Sequence, residues 1–327
     1  MFKRRKGLAI DLGTTAIRGL SLTKTARGVG IASLSLSSIP ASSEEREKAW
    51  KKTAQSLIKE TGATHIVISL PGRGVLVRFI SLPPVASGKI ESILQYEVQH
   101  QLPFPLDAVV WSYQILSQEE KINLLVGAVK KDMVNNLLNL FTGLGVRIDF
   151  IDSDTFALLN ALRFSPDFER DKTIAFLEIG AESSNLLICY NEQMLVRSLT
   201  ISGNALTTAI EEVSKIEFSE AEEKKIKEGE AQFPTLSPVL ENLITEVQNS
   251  IDYWRFTQKG PEIKKFLLTG GSSKLAGLKD FFTEKLRVET ISFNPFANIS
   301  YSSQFKEVVE KESSRLAVAV GLALRQI

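Results

Sequence analysis

Leu8-Ala9-Ile10-Asp11-Leu12-Gly13-Thr14-Thr15 reads as a buried strand that delivers a carboxylate, a glycine and two hydroxyls to its carboxyl end. Such a turn suits an anion. Gly13 lets the backbone come close, Thr14 and Thr15 offer N–H and O–H donors, and Asp11 can hold Mg²⁺ through its waters. A lone Asp-x-Gly-Thr turn also serves purely steric ends in a buried hairpin. The same grammar returns near the middle of the 327-residue chain, where the apolar residues 174–177 run into Glu178-Ile179-Gly180-Ala181-Glu182-Ser183-Ser184. A third strand, Phe266-Leu267-Leu268-Thr269, delivers Gly270-Gly271-Ser272-Ser273 to its carboxyl end, the place where open α/β sheets bind ligands.

Three such turns in this order resemble the phosphate-1, phosphate-2 and adenosine motifs of the actin and sugar-kinase-like ATPases. The resemblance implies an α/β, two-lobed actin-like (duplicated ribonuclease H-like) ATPase fold with ATP and Mg²⁺ between the lobes. By that resemblance Asp11, Gly13, Thr14, Thr15 and Arg18 belong to the first phosphate turn, with Asp11 the metal-side carboxylate. Gly180, Ala181, Glu182 and Ser183 belong to the second, and Gly270, Gly271 and Ser272 to the adenosine turn.

Composition agrees with a two-lobed chain, because its length exceeds the size at which one core keeps growing. With 39 basic and 38 acidic residues the net charge is +1, so neither nucleic acid nor an anionic membrane is expected as the main ligand. The single cysteine, Cys189, lies in an apolar run and reads as a small core residue; without a disulfide framework the chain suits the cytoplasm. Lys3-Arg4-Arg5-Lys6 reads as a solvated basic leader, since Asp11 ends the apolar stretch after it too early for a signal peptide. The longest apolar run, residues 316–324, is about half of a membrane span. His65 and His100 are the only histidines, and neither has a cysteine at ligand spacing.

Along the chain, residues 17–22 and 30–36 continue the first sheet. Ser42 and Glu45 open a capped helix carrying Trp50 on its apolar stripe, Gly62 ends it, and residues 65–70 form the next strand before Pro71-Gly72-Arg73-Gly74. A strand (75–82), a helix (89–102), two strands (109–116 and 122–129) and a helix (132–144) then make an inserted subdomain of roughly 70 residues. Strand-helix-strand-strand order resembles the insert of the cell-division protein FtsA and its relatives rather than that of actin. Within it, Gln95-Tyr96-Glu97-Val98-Gln99-His100-Gln101-Leu102-Pro103-Phe104-Pro105-Leu106 resembles the signature of the type IV pilus assembly protein PilM family. Pro103 stops the helix and Pro105 stiffens the exit, so Phe104 is either tucked beneath the helix or presented to a partner.

Residues 146–151 return to the first lobe. Asp152-Ser153-Asp154 then opens a segment that looks like the PilM family's interlobe helix; Asp152 and Asp154 are the candidate catalytic carboxylates, and Asp154 alternatively favours a helix N-terminus. A hairpin spans 186–201, and Gly203 opens a helix. Residues 219–227 read as a charged, solvated helix that also matches the family's Ala-Glu-x-x-Lys pattern, by which Glu222 and Lys225 would reach ribose and adenine. A loop at 232–237, helices at 238–257 and 275–286, and a buried helix at 315–325 complete the expected chain. The expected division is therefore 1–74 for the first lobe, 75–145 for the FtsA-type insert and 146–171 for the return with the interlobe helix. The second lobe takes 172–311, with a helical nucleotide-contacting part at 203–262, and 312–327 is a C-terminal helix on the first lobe.

The PilM resemblance covers nearly the whole chain and implies a cytoplasmic, ATP-binding scaffold of the type IV pilus or type II secretion inner-membrane platform. It would dock the cytoplasmic N-terminal tail of a PilN-like membrane protein, meet the membrane only through partners and bind no nucleic acid, and it leaves homo-oligomers open. The alternatives are an active ATPase or sugar-kinase-like enzyme, or an FtsA-like division protein; the amphipathic tail of FtsA relatives is not seen after residue 325. Glu178 stands where the fold usually has aspartate, which implies weak or absent hydrolysis, and Glu182 adds a charge that Lys225 or Mg²⁺ would have to screen.

Overall fold

The computed structural model describes residues 7–26, 28–39, 43–70, 74–85, 87–101, 104–118 and 120–327. The basic leader, the Ser42 cap, the break at residues 71–73 and the Pro103 stop lie outside the described residues. The first lobe opens with β1 (Gly7–Leu12), β2 (Ala16–Thr25) and β3 (Gly28–Ser38), followed by α1 (Ser43–Thr61) and β4 (His65–Leu70). The insert holds β5 (Val75–Leu82), α2 (Ile90–Gln101), β6 (Val109–Gln118), β7 (Ile122–Lys130) and α3 (Lys131–Phe141). Then β8 (Arg147–Ser153) and α4 (Asp154–Phe164) lead into the second lobe. There the order is β9 (Thr173–Ile179), β10 (Ser184–Tyr190), β11 (Gln193–Leu199), α5 (Gly203–Ser214), α6 (Phe218–Glu228), α7 (Phe233–Asp252), β12 (Ile263–Thr269), α8 (Leu278–Leu286) and β13 (Thr290–Ser292). β14 (Ile299–Ser300), α9 (Ser303–Glu312) and α10 (Ala317–Leu324) close the chain.

The two large sheets repeat one plan. In each, an antiparallel meander is extended by parallel strands, giving β14-β3-β2-β1-β4-β8 in the first lobe and β11-β10-β9-β12-β13 in the second. β14 is reached from the second lobe and adds in parallel to β3, so the sheets are tied at that edge. Central strands are covered on both faces, which is why β1 and β9 read as almost continuous apolar runs.

One core runs through both lobes. Ala9, Leu20 and Val67 of the first sheet meet Phe176, Leu187 and Leu267 of the second through buried residues of α4 and α10. The α10 sequence, Ala-Val-Ala-Val-Gly-Leu-Ala-Leu, is buried on every side from Ala317 to Ala323. A side chain at Gly321 would collide with the Ala157 carbonyl of α4, so the helices touch backbone to backbone there.

The insert has a core of its own, in which Ile90, Leu94 and Val98 of α2 cover Ile80, Leu82, Ile122, Leu124 and Val126 of the β5-β7-β6 sheet. It is also welded to the body. Val77 and Leu125 belong to the interlobe core, while Leu137, Leu140 and Phe141 of α3 pack with Ala54, Leu57 and Ile58 of α1.

Several boundaries differ from the sequence expectation for local reasons. Instead of a loop at 232–237, α7 starts at Phe233, because Pro234 in a first turn needs no N–H partner and the buried spacing already begins at Leu236. The same helix ends at Asp252 and passes into a π-type turn, with Gln258 N donating to Tyr253 O at 3.1 Å. α4 starts at Asp154 because Ser153 Oγ accepts from Phe156 N at 3.2 Å, which leaves Asp152 in β8. α8 starts at Leu278 and α10 at Ala317, each after a short 3₁₀ turn. Cys189 is buried and its thiol is pushed up to about 12 by that burial, as a core residue's would be.

The α4–α10 contact leads to a stability expectation. Gly321→Val should cost about 1–3 kcal/mol or more by overpacking, read as a lower denaturation midpoint in urea. A midpoint equal to that of the unaltered protein would show that the helices can separate freely.

Candidate functional site

The three strand-end turns converge on one cleft between the lobes, with a volume of about 560 Å³. At the first turn, antiparallel register sets Asp11 opposite Arg18, whose Nη1 donates to Asp11 Oδ2 at 2.8 Å. Ser69, at the end of the neighbouring parallel strand β4, donates through Oγ to Asp11 Oδ1 at 3.2 Å and accepts from Leu12 N at 3.0 Å. Trp50 of α1 donates its indole N–H to the Gly13 carbonyl at 3.1 Å. The turn is therefore gripped from two sides, and Trp50 is more than a core anchor.

The second turn is closed by Gly180 N donating to Ser183 O at 3.0 Å. It also caps α5, since Gly203 N and Asn204 N donate to Gly180 O and Ala181 O, each at 2.8 Å. Glu178, next to last in β9, is half-buried and faces the cleft. Burial pushes its carboxyl up to about 7 against the Asn185 hydrogen bond and the Arg18 charge, with Asp11 adding to the rise. Asn185 Nδ2 donates to Glu178 Oε2 at 3.0 Å.

Glu182 is paired across the lobes with Arg46 of α1 at 2.9 Å. This corrects the expectation that Lys225 screens it. Lys225 is buried, donates to Thr207 Oγ1 at 2.7 Å and Gly203 O at 3.1 Å, and pairs with Glu222 at 2.6 Å. Its pKa is lowered by burial, with Glu222 opposing. Lys225 thus knots α6 to α5, and its tip has little freedom to reach the opposite turn.

At the third turn Gly270 has φ +92°, a conformation that excludes side chains, and its N–H donates to Ser314 O at 2.9 Å. Thr269 Oγ1 donates to the same carbonyl at 2.9 Å, so the stretch entering α10 holds this turn in place. Lys274 and Arg315 share Glu312, at 2.9 and 3.1 Å.

All the turn residues singled out from the sequence, together with Glu222 and Lys225, line this cleft. Asp154 lines it as well, in the first turn of α4, whose cap is Ser153. Asp152 is not among the lining residues; its Oδ2 accepts from Arg325 Nε at 2.7 Å, and burial raises its pKa despite that arginine. Sequence reasoning missed Ser69, Arg46 and the Lys274–Glu312–Arg315 cluster. Ser69 was findable, because the strand parallel to the first turn's strand must end beside it. Arg46 carries no local signal, since only the folded lobes bring it to Glu182.

Residues 9–327 match the family described as type IV pilus assembly protein PilM, and the chain belongs to that family. A solved PilM-PilN type IV pilus biogenesis complex contains a chain 27% identical to this one, matched over 99% of both chains with a TM-score of 0.87. The ethanolamine utilization protein EutJ from Carboxydothermus hydrogenoformans is similar at 14% identity and TM-score 0.58, over 99% of this chain and 90% of that one. MreB5 of Spiroplasma citri bound to ADP is similar at 11% identity and TM-score 0.54, over 97% and 94%. These neighbours establish the actin-like ATPase fold.

Glu178 generates a pH expectation. Its folded pKa lies above that of an unfolded glutamate, so the folded chain holds the extra proton between about pH 4.5 and 7, and stability falls as pH rises through that window. One pKa unit is worth about 1.4 kcal/mol, so the effect is on the order of 3 kcal/mol. Asp152 contributes with the same sign, which makes the difference between variants the proper readout. Melting temperature should fall less steeply between pH 5 and about 7.5 in Glu178→Gln than in the unaltered protein; equal slopes would show that Glu178 titrates normally.

Proposed function

We propose that this PilM-family protein is an ATP-binding actin-like scaffold on the cytoplasmic side of a type IV pilus, or type II secretion, inner-membrane platform, and that it docks the cytoplasmic N-terminal tail of a PilN-like membrane protein. One observation carries the nucleotide half: three glycine-containing strand ends from two lobes face a single cleft of about 560 Å³, within the size range of small-molecule sites. The first and second turns would hold the phosphates, and the third turn with α6 the nucleoside. Mg²⁺ would supply charge neutralisation at the phosphates. Asp11 fits a role through metal-bound water, because each of its oxygens already accepts one bond, from Arg18 or Ser69.

The docking half rests on the relative described as a PilM-PilN complex and on where apolar surface is left open. Tyr96, Phe104, Val110, Ile115 and Leu138 of the insert are exposed, as is Phe150 on β8 beside it. Phe104 is neither fully tucked in nor fully presented, since the Lys130 ammonium sits 4.4 Å from its ring centre. β6 and β8 are outer strands of their sheets, and an extended peptide can use such an edge together with apolar pockets. No helix among the described residues is long and apolar enough to cross a membrane, and membrane association is assigned to the partner.

Slow or absent turnover is part of the proposal. Glu178 carries its carboxylate one methylene further than aspartate, and about 1 Å of misplacement can cost 10²-fold in rate. The opposing reading, an active ATPase, draws on the same residue, because a carboxyl pushed up to about 7 is matched to proton transfer at neutral pH. Asp152, tied to Arg325, is a poor base; Asp154 is the better placed of the two.

Gly271 decides the nucleotide half experimentally. A side chain there would meet little but Arg315 Cγ, at 4.0 Å, so Gly271→Val should fold normally yet intrude into the cleft. Calorimetry with Mg²⁺-ATP should show affinity at least about tenfold weaker, or 1.4 kcal/mol; unchanged affinity would remove the nucleotide from this turn. Phosphate release should rise in Glu178→Asp, and a fast native rate lowered by that change would instead favour the enzyme. For docking, Leu138→Asp and Phe150→Asp should each weaken binding of a PilN-like tail peptide, and full affinity in both would place the peptide elsewhere.

A further inference from the structure

The end of α7 presents the most exposed large apolar side chain among the described residues, Phe256, at 74% exposure. It stands on a built pedestal. Trp254, fully buried, donates its indole N–H to Pro261 O at 2.9 Å, and Gly260 N returns a bond to Trp254 O at 2.9 Å. Gly260 lies flat against the indole, leaving no room for a side chain between them. With Trp254 fixed inward, the π-type turn Tyr253–Thr257 turns Tyr253, Arg255 and Phe256 outward. Single π turns of this kind recur at functional sites.

Two guanidiniums cover the aromatic rings. Arg197 of β11 lies 4.9 Å from the Tyr253 ring centre and Arg255 lies 5.7 Å from that of Phe256. An arginine stacked on a ring uses its face and keeps its in-plane N–H donors for an anion, which a carboxylate meets bidentately. Of the nearby acids, Glu262 pairs with Lys264 at 2.7 Å and also feels the Arg255 charge, which helps to lower its pKa, while Glu246 accepts from Thr200 Oγ1 at 2.5 Å.

We propose that Tyr253, Phe256, Arg197 and Arg255 form a docking surface for an acidic segment of a partner protein, one that sets carboxylates beside an apolar anchor. Charge and shape favour this occupant over a lipid surface. Anionic membranes are recognised by clusters of about four to eight basic residues free of acids, whereas here Arg197, Arg255, Lys259 and Lys264 are interspersed with aromatics and with the exposed acids Asp252 and Glu262, the latter paired to Lys264. Arginine and aromatic side chains around a rigid centre are also what protein interfaces use as anchors. The surface lies outside the cleft lining and does not depend on the nucleotide reading.

The test uses the full chain with three probes: a fluorescein-labelled heptapeptide alternating acidic residues with Phe, its twin with Lys for every acid, and vesicles containing phosphatidylglycerol. Fluorescence anisotropy should show saturable, salt-sensitive binding of the acidic peptide alone. Phe256→Ala and the Arg197→Glu, Arg255→Glu double variant should each weaken it at least about tenfold, with melting temperatures unchanged. No saturation by about 1 mM, equal binding of the twin, or full affinity in both variants would overturn the proposal. Vesicle binding that these variants abolish would overturn it in favour of a membrane contact.

Discussion

The backbone contact between Gly321 of α10 and Ala157 of α4 is the constraint on which the rest depends. Two sheets that repeat one plan have to be held with their strand ends facing a common gap, and these helices occupy the space between them. Because α10 packs against β1, β2 and β4 of the first sheet, the end of the chain braces the lobe that begins it. The residues leading into α10 hold the third turn through the Ser314 carbonyl, and Ala317 and Val318 line the cleft. A core this continuous does not shear easily, so a change in lobe angle has to be absorbed at the ends of α4 and α10.

Electrostatics inside the cleft follow from the same closeness. Asp11 has Arg18, Glu182 has Arg46, Glu222 has Lys225, and Glu312 has Lys274 and Arg315. An incoming polyphosphate would therefore meet cations that are mostly engaged, Lys311 being the cleft-lining cation with no ion-pair partner among the described residues. Beyond that lysine it would have to compete for a guanidinium or bring its own divalent cation, and the half-exposed pairs are easier to exchange than the buried ones. Glu178 differs from these pairs, with a neutral amide as its direct donor, and it meets the cost of desolvation by keeping its proton to about pH 7.

Strands and turns were legible because a buried strand ending in Gly, Ser and Thr writes both facts locally; β4 and β5 even end where the apolar runs do. Helix ends were less so. Pro238 looked like a start, yet α7 begins before it, since burial of Leu236 and the first-turn tolerance of Pro234 outweigh one lost N–H bond inside the helix. Asp152 and Asp154 look alike in sequence and part company in space because the Ser153 cap ends one element and opens the next. The Arg46–Glu182 pair was illegible, as its partners meet only once the lobes have closed on α4 and α10.

The inserted sheet is held by attachments of this kind as well as by its own core. It has an independent core under α2, but its other face is shared: Gly127 lies against Phe156 of α4, α3 packs on α1, and β5 borders β11 of the second lobe. α1 in turn carries Trp50 to the first turn and Arg46 to the second. A peptide held on the insert and a ligand held in the cleft would therefore press on the same short chain of packed residues, from α3 through α1 to Gly13 and Glu182. Coupling between two such sites requires that each ligand prefer one arrangement of that chain, and the interlobe ion pair is the contact in it that opens without exposing core.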